Sequence, residues 1–270
     1  MEPINLFEIA RVNCPHLDGR FQTVNHQPLV SEFADHVKNL GLVSINMRIK
    51  DLANFLITNK YLNSYEWAEE QSIILGRPPE DILKEKLRDF YERRVSFDRT
   101  FEYGQNFRYG ALNTGGAGCT YYGNFSILMR ESFPINLEEI AYLSGDSLKY
   151  FMRLDGHPDI ENIRQESSAH SHRHYLATLK HILAIPSSNE LEWPIMICSG
   201  TDYIEAIFVQ EVIPDSIKEI RLPVDEHSRL NNLVFEGFDR PLDIHERAEV
   251  DAFQTILEKI DEKSLSLIEV

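Results

Sequence analysis

Asp202-Tyr203-Ile204-Glu205-Ala206-Ile207-Phe208-Val209 decides how this chain is read. Apolar, β-branched and aromatic residues in a run of this length favour one strand, buried on at least one face. Cys198-Ser199-Gly200 before it and Pro214-Asp215-Ser216 after it are turn formers that bound it. A carboxylate inside such a strand, Glu205, is costly unless it is paired or takes part in chemistry. Spacing alone leaves two readings open: a salt-bridged residue at a sheet edge, or a catalytic group.

Outward from that strand, the C-terminal part reads as short strands at 107–113, 121–129, 139–143, 194–198 and 219–223. A helix is expected over about 160–184, and another over about 245–262 with Ala248, Phe253, Ile256 and Ile260 facing the core. Towards the N-terminus, residues 28 to about 97 read as helical. Ile49, Leu52, Ala53 and Leu56 share a helix face, and Pro78-Pro79-Glu80-Asp81 opens a helix that runs on to Arg93-Arg94. The first 30 residues, with three prolines, read as irregular. The expected architecture is α+β, with a helical N-terminal region at 1–99 packed on a core at 100–270 as one compact unit.

The 270 residues are 43% hydrophobic, enough for a full core. No run of about 18 apolar residues exists, so no membrane partner is expected. The start, Met1-Glu2-Pro3-Ile4-Asn5, has no basic segment followed by an apolar one, so no secretory leader is read there. Cys14, Cys119 and Cys198 are odd in number and far apart, which argues against a disulfide framework and for a reducing compartment. A formal net charge of −16 argues against nucleic acid as a partner.

Several segments could carry chemistry. Phe107-Arg108-Tyr109-Gly110-Ala111-Leu112-Asn113-Thr114-Gly115-Gly116-Ala117-Gly118 runs from a strand into a glycine-rich loop. It has neither the P-loop ending nor the dinucleotide-fold spacing, so a tight hairpin is its plainer reading. Tyr121-Tyr122-Gly123-Asn124-Phe125-Ser126-Ile127-Leu128-Met129 is an aromatic strand, able to stack on a flat ring or to serve as core. Leu143-Ser144-Gly145-Asp146-Ser147 is a polar turn that caps a helix through Asp146 or Ser147, or contacts a substrate. His170, His174 and His181 lie at helical spacing, but no Cys or HExxH carboxylate accompanies them, so no metal is expected. No GxSxG occurs, and no Ser-His-Asp order stands out.

Tyr109-Gly110-Ala111-Leu112-Asn113, the aromatic-glycine strand at 121–129, Ser144-Gly145-Asp146-Ser147 and Tyr203-Ile204-Glu205-Ala206, in that order, resemble the DUF3626 family of the ADP-ribosyltransferase superfamily. The resemblance covers about 107–225 and is most specific in the YGALN and YIEA segments. The strand that starts at Glu205, and the proline turn Val212-Ile213-Pro214-Asp215-Ser216-Ile217 after it, are similar to the catalytic strand of ADP-ribosyltransferases and its following turn. The resemblance implies a split β-sheet core and NAD as substrate, with no metal. It implies that Glu205 is catalytic, and that Tyr109, Gly110 and Asn113 belong to the strand flooring the NAD site. Asn113 and Thr114 stand where other branches place a Ser/Thr motif. Tyr122 and Ser144 complete the implied cofactor-binding set, with Arg20 or Arg108 holding the phosphates.

The resemblance further implies a mono-ADP-ribosyltransferase that modifies a protein side chain, an arginine of a host enzyme such as a NAD-dependent glutamate dehydrogenase. Many arginine-modifying members carry Gln or Glu two positions before the catalytic glutamate; here that position is Tyr203. The acidic, serine-bearing C-terminus at 258–270 looks like a type IV secretion signal of a bacterial effector delivered into host cytoplasm, or else the frayed end of a helix. NAD glycohydrolysis, and a non-enzymatic interaction module in which Glu205 is structural, are the alternative functions.

Overall fold

The computed structural model describes residues 3–270. In chain order the elements begin with helices α1 (Leu6–Gln22) and α2 (Pro28–Leu40), strand β1 (Leu42–Met47), then α3 (Ile49–Thr58), α4 (Ser64–Leu75), α5 (Pro79–Leu87) and α6 (Tyr91–Thr100). Strands β2 (Arg108–Asn113), β3 (Phe125–Met129) and β4 (Ile140–Leu143) follow, then α7 (Ser147–Tyr150), α8 (Ile160–Gln165), β5 (Ser167–Ala169), α9 (Arg173–His181) and α10 (Trp193–Ile197). The chain closes with β6 (Cys198–Ser199), β7 (Asp202–Tyr203), β8 (Glu205–Phe208), β9 (Ile217–Leu222), α11 (Val224–Asp239), α12 (Ile244–Glu262) and β10 (Leu267–Glu269). Eight strands form one mixed sheet in the order β10-β9-β3-β1-β2-β8-β4-β5; β6 and β7 pair separately. The fold is α+β, as expected.

One face of the sheet carries Val43, Ile45, Leu112, Ala206, Phe208 and Ile127 against apolar side chains of α2, α3 and α12 in the main core. A second cluster, with Leu6, Phe7, Phe97, Leu143, Phe151 and Ile207, lies under α1 and α6. Of the expected core positions, Leu52, Ala53, Leu56, Phe253, Ile256 and Ile260 are buried, and Ile49 and Ala248 are half-buried.

Several expected elements are corrected. The first 30 residues are not irregular. Asn5 caps α1 by accepting from the Glu8 amide, and Pro15 inside that helix is exposed, where water can satisfy the carbonyl that a proline ring leaves without its bond. Residues 28–97 are not all helical, because β1 inserts between β2 and β3 in the middle of the sheet. The helix expected over 160–184 breaks at Ser167–Ala169, which pairs with β4 as an edge strand. Asn13 holds that break by donating to the Gln165 and Ser167 carbonyls at 3.1 and 2.7 Å. Residues 193–197 form a helix instead of a strand, with Pro194 in its first turn, where proline is tolerated. Only 125–129 of the aromatic segment is strand, since Tyr121 and Tyr122 lie in a turn closed by the Tyr122 and Gly123 amides, which donate to the Cys119 and Thr120 carbonyls at 2.9 and 3.2 Å. The C-terminal residues Leu267–Glu269 leave the helix and add to the sheet parallel to β9.

The deciding stretch also divides. Tyr203 pairs with Cys198 in the small hairpin, whereas Glu205 pairs with Ala111 on one side and Leu143 on the other. Between them the Ile204 carbonyl accepts from the Leu112 amide at 2.9 Å. Glu205 is therefore on a central strand, not at an edge.

Candidate functional site

Side chains on a strand alternate between faces, so residues paired across neighbouring strands share a side. Ser44 pairs with Ala111 and Ala111 with Glu205, so one row crosses β1, β2 and β8. That row floors a cavity of about 310 Å³ whose walls come from α4 and the loop before it, α6, the loop at 114–124 and the turn after β4. Such a volume lies at the lower end of ordinary small-molecule sites.

Glu205 is 2% exposed. Its Oε2 accepts from the Ser147 amide at 2.9 Å, and Oε1 has no hydrogen-bond partner among the described residues. Burial, with the negative Asp146 nearby, pushes its pKa up to about 8, while Arg94 and Ser147 pull the other way. The polar turn after β4 positions that amide: Asp146 Oδ1 caps α7 by accepting from Leu148 and Lys149 amides at 2.8 and 2.9 Å.

Arg94 enters from α6. Its guanidinium lies 3.7 Å from the centroid of the Tyr109 ring, and Nη1 is 3.6 Å from Asp98 Oδ1 yet makes no hydrogen bond. Burial opposes its charge, but Tyr109, Asp98, Glu205 and Asp146 hold it firmly protonated. Asp98 is 1% exposed, and burial raises its pKa despite Arg94 and two tyrosine donors. It accepts from Tyr65 at 2.9 Å and from the Tyr109 hydroxyl. At the opposite wall, Tyr122 and Tyr203 donate to Asp146 Oδ2 at 3.0 and 2.9 Å, and their own oxygens lie 3.0 Å apart.

Of the residues implied for the site, Glu205, Arg108, Tyr109, Gly110 and Tyr122 line this cavity. Both terminal nitrogens of Arg108 are taken: Nη2 donates to both Glu66 oxygens at 2.8 and 2.9 Å, and Nη1 donates to the Asn106 and Val209 carbonyls, both at 3.2 Å, which among the described residues leaves only its buried Nε without a partner. Arg20 sits on α1, away from the cavity, 3.4 Å from Glu166. Asn113 is buried beneath the glycine loop, where its Oδ1 accepts from the Gly115 and Gly116 amides at 2.9 and 3.1 Å. Thr114 is buried and Ser144 half-buried, and neither lines the cavity; the Ser144 amide donates to the Glu166 carbonyl at 3.0 Å.

Sequence reasoning missed Arg94, Asp98 and Tyr65; the turn at 143–147 reads in the sequence as a helix cap or a substrate contact, and Asp146 both caps α7 and lines the cavity. The available signal was an Arg and an Asp at i and i+4 among apolar positions of one helix, Val95 and Phe97. The three histidines do not share one helix. His170 precedes α9 and its Nδ1 is 3.1 Å from the Tyr142 hydroxyl; burial lowers His170, His174 and His181 alike to about 4. Among the described residues no group of three His, Cys, Asp or Glu could hold a metal, and no helix is long and apolar enough to cross a membrane. The Cys119 and Cys198 thiols, distant in sequence, lie 3.3 Å apart beside the cavity.

No protein-family model matches this chain, and no curated protein matches it.

Proposed function

We propose that this chain is a mono-ADP-ribosyltransferase of the kind its YGALN and YIEA segments resemble, with Glu205 as its catalytic carboxylate and a split-sheet ADP-ribosyltransferase core. One observation carries the reading. Glu205 is buried on a central strand with one oxygen anchored and the other free, in a cavity walled by tyrosines and containing a cation with an unbonded N–H. The chemistry of NAD fits those groups. Its nicotinamide–ribose bond breaks with the electron pair leaving on neutral nicotinamide, and positive charge develops on the ribose. A carboxylate held by a backbone amide in a water-poor site stabilises that charge.

Arg94 replaces Arg20 and Arg108 as the group suited to an anionic part of NAD, since Arg108 is occupied by Glu66 and Arg20 lies elsewhere. Tyr109, Tyr122 and Tyr203 offer ring surface to the base and nicotinamide. The ring of NAD is itself cationic, so its arrival beside Glu205 favours the ionised carboxylate that the reaction needs.

The acceptor in this reading is a protein arginine of a host enzyme, a NAD-dependent glutamate dehydrogenase being the case the resemblance suggests. Delivery into host cytoplasm by type IV secretion rests on the composition of 258–270. Incubating purified protein with tagged NAD and a host lysate tests the whole: a labelled protein band is expected, and it disappears with Glu205→Gln. Free ADP-ribose without a labelled band makes the chain an NAD glycohydrolase. No NAD consumption at all, with or without lysate, overturns the proposal.

A further inference from the structure

Cys119 and Cys198 stand 79 positions apart in the chain, and their sulfurs lie 3.3 Å apart. Cys119 belongs to the loop at 114–124 after β2, and Cys198 opens the hairpin β6–β7. Each backbone is fixed from its own side. The Cys119 amide donates to Asn46 Oδ1 of β1 at 2.8 Å, and Asn46 Nδ2 donates to the Ala117 and Gly123 carbonyls at 3.0 and 2.9 Å. The Cys198 amide donates to the Pro194 carbonyl at the end of α10, and Cys198 pairs with Tyr203. Both thiols are buried, and packing as small apolar side chains explains the burial of each. Their pairing supplies a chemistry as well. Cys119 lines the cavity and Cys198 does not, so a small oxidant in the cavity meets one thiol with a second directly behind it. That is the arrangement in which a sulfenic acid is resolved to a disulfide.

We propose that Cys119 and Cys198 are a modification site for hydrogen peroxide, forming a reversible disulfide that clamps the loop at 114–124 to the hairpin β6–β7. The Cys119 thiolate attacks one peroxide oxygen and the O–O bond breaks. The hydroxide released takes up the Cys119 proton as water, and Cys119 is left as a sulfenic acid. The Cys198 sulfur then attacks the Cys119 sulfur and the S–O bond breaks. The hydroxide that leaves takes the Cys198 proton as a second water. Two thiols are oxidised to one disulfide as one peroxide is reduced to two waters, and a dithiol reductant reverses the change. The Cys198 thiol and burial push the Cys119 pKa up, so the thiol pair is the resting state and the first attack is slow at neutral pH. Forming the bond draws the sulfurs together by about 1 Å. Tyr122 lies three residues beyond Cys119, and Tyr203 is the partner of Cys198 across the hairpin, so the clamp joins two parts of the cavity wall. This inference stands apart from the NAD reading and does not need it.

The test uses the full chain and, beside it, Cys14→Ser, which leaves the pair as its only thiols. Each is held with hydrogen peroxide at pH 8.5 and then freed of oxidant. Peptide mapping is expected to find Cys119 joined to Cys198, a result that needs no variant of the pair to fold. The oxidised chain is expected to melt at least about 5 °C higher than the reduced one, because the bond closes a long loop. Hydrogen exchange of the amides at 114–124 is expected to slow at least about fivefold. Dithiothreitol should reverse all three changes. Cys198→Ala, compared with its own reduced form, should show no rise in melting temperature after peroxide. Thiols that stay free, oxidation that stops at sulfinic acid, or bonds only between two chains overturn the inference. So does a Cys119–Cys198 bond that leaves melting and loop exchange unchanged, since it clamps nothing. A melting rise of the same size in Cys198→Ala overturns it as well.

Discussion

Glu205 couples stability to pH in a direction opposite to that of a salt-bridged carboxylate. Its pKa is about 8 in the folded chain against 4.5 for the free group. Between those values the folded chain holds a proton that the unfolded chain has lost, so stability falls as pH rises from about 4.5 to about 8 and is level above. Glu205→Gln is neutral and nearly isosteric, and removes that loss. At pH 8.5 the variant is expected to melt at least about 2 °C above wild type, and at pH 4 the two should coincide in thermal denaturation. Equal melting at both pH values would show that Glu205 is ionised and satisfied in the fold. The carboxylate itself was legible in the sequence, because a single acid inside an apolar run is conspicuous. Arg94 and Asp98 were not, because each looks like an ordinary surface charge until α6 turns them inward onto Tyr109.

Strands with apolar residues on both faces are the elements the sequence conceals. β1 sits between two helices in the chain, and a short apolar run such as Leu42-Val43-Ser44-Ile45 has no period that separates strand from helix. The β-branched Val43 and Ile45 after Gly41 were the clue. The strands β2 and β4 were legible because turn residues bound them, and the helices α3 and α12 because their apolar spacing is regular. The break between Tyr203 and Glu205 was not legible, because it depends on a pairing with Cys198 that no local pattern announces. β2 also shows how closely the floor of the site is packed. A Cβ at Gly110 would meet the Ser44 carbonyl oxygen at 2.6 Å, and that oxygen belongs to backbone that cannot swing aside. Gly110→Ala is expected to cost about 1–3 kcal/mol, read as a lower midpoint in urea with an unchanged slope. A midpoint equal to wild type would show that β1 and β2 part without strain.

The whole molecule is joined across its N-terminal helices and its sheet by groups at the cavity itself. Arg108 on β2, 2% exposed, is held by Glu66 on α4, and Tyr65 of the same helix reaches Asp98. Taking Glu66 away would leave the buried guanidinium with carbonyl partners only. Glu66→Ala is therefore expected to destabilise the fold by about 3 kcal/mol, measured by chemical denaturation. A loss below about 1 kcal/mol would mean that α4 is not what holds Arg108. The helices and the sheet thus build one cavity, and the central claim is that its carboxylate breaks NAD. Nicotinamide release from NAD by the purified chain in the presence of host lysate, wild type beside Glu205→Gln at pH 8, tests that claim most directly. Release by wild type is expected, with a rate lower by about 10² or more in the folded variant. A folded Glu205→Gln that releases nicotinamide at the wild-type rate would contradict it.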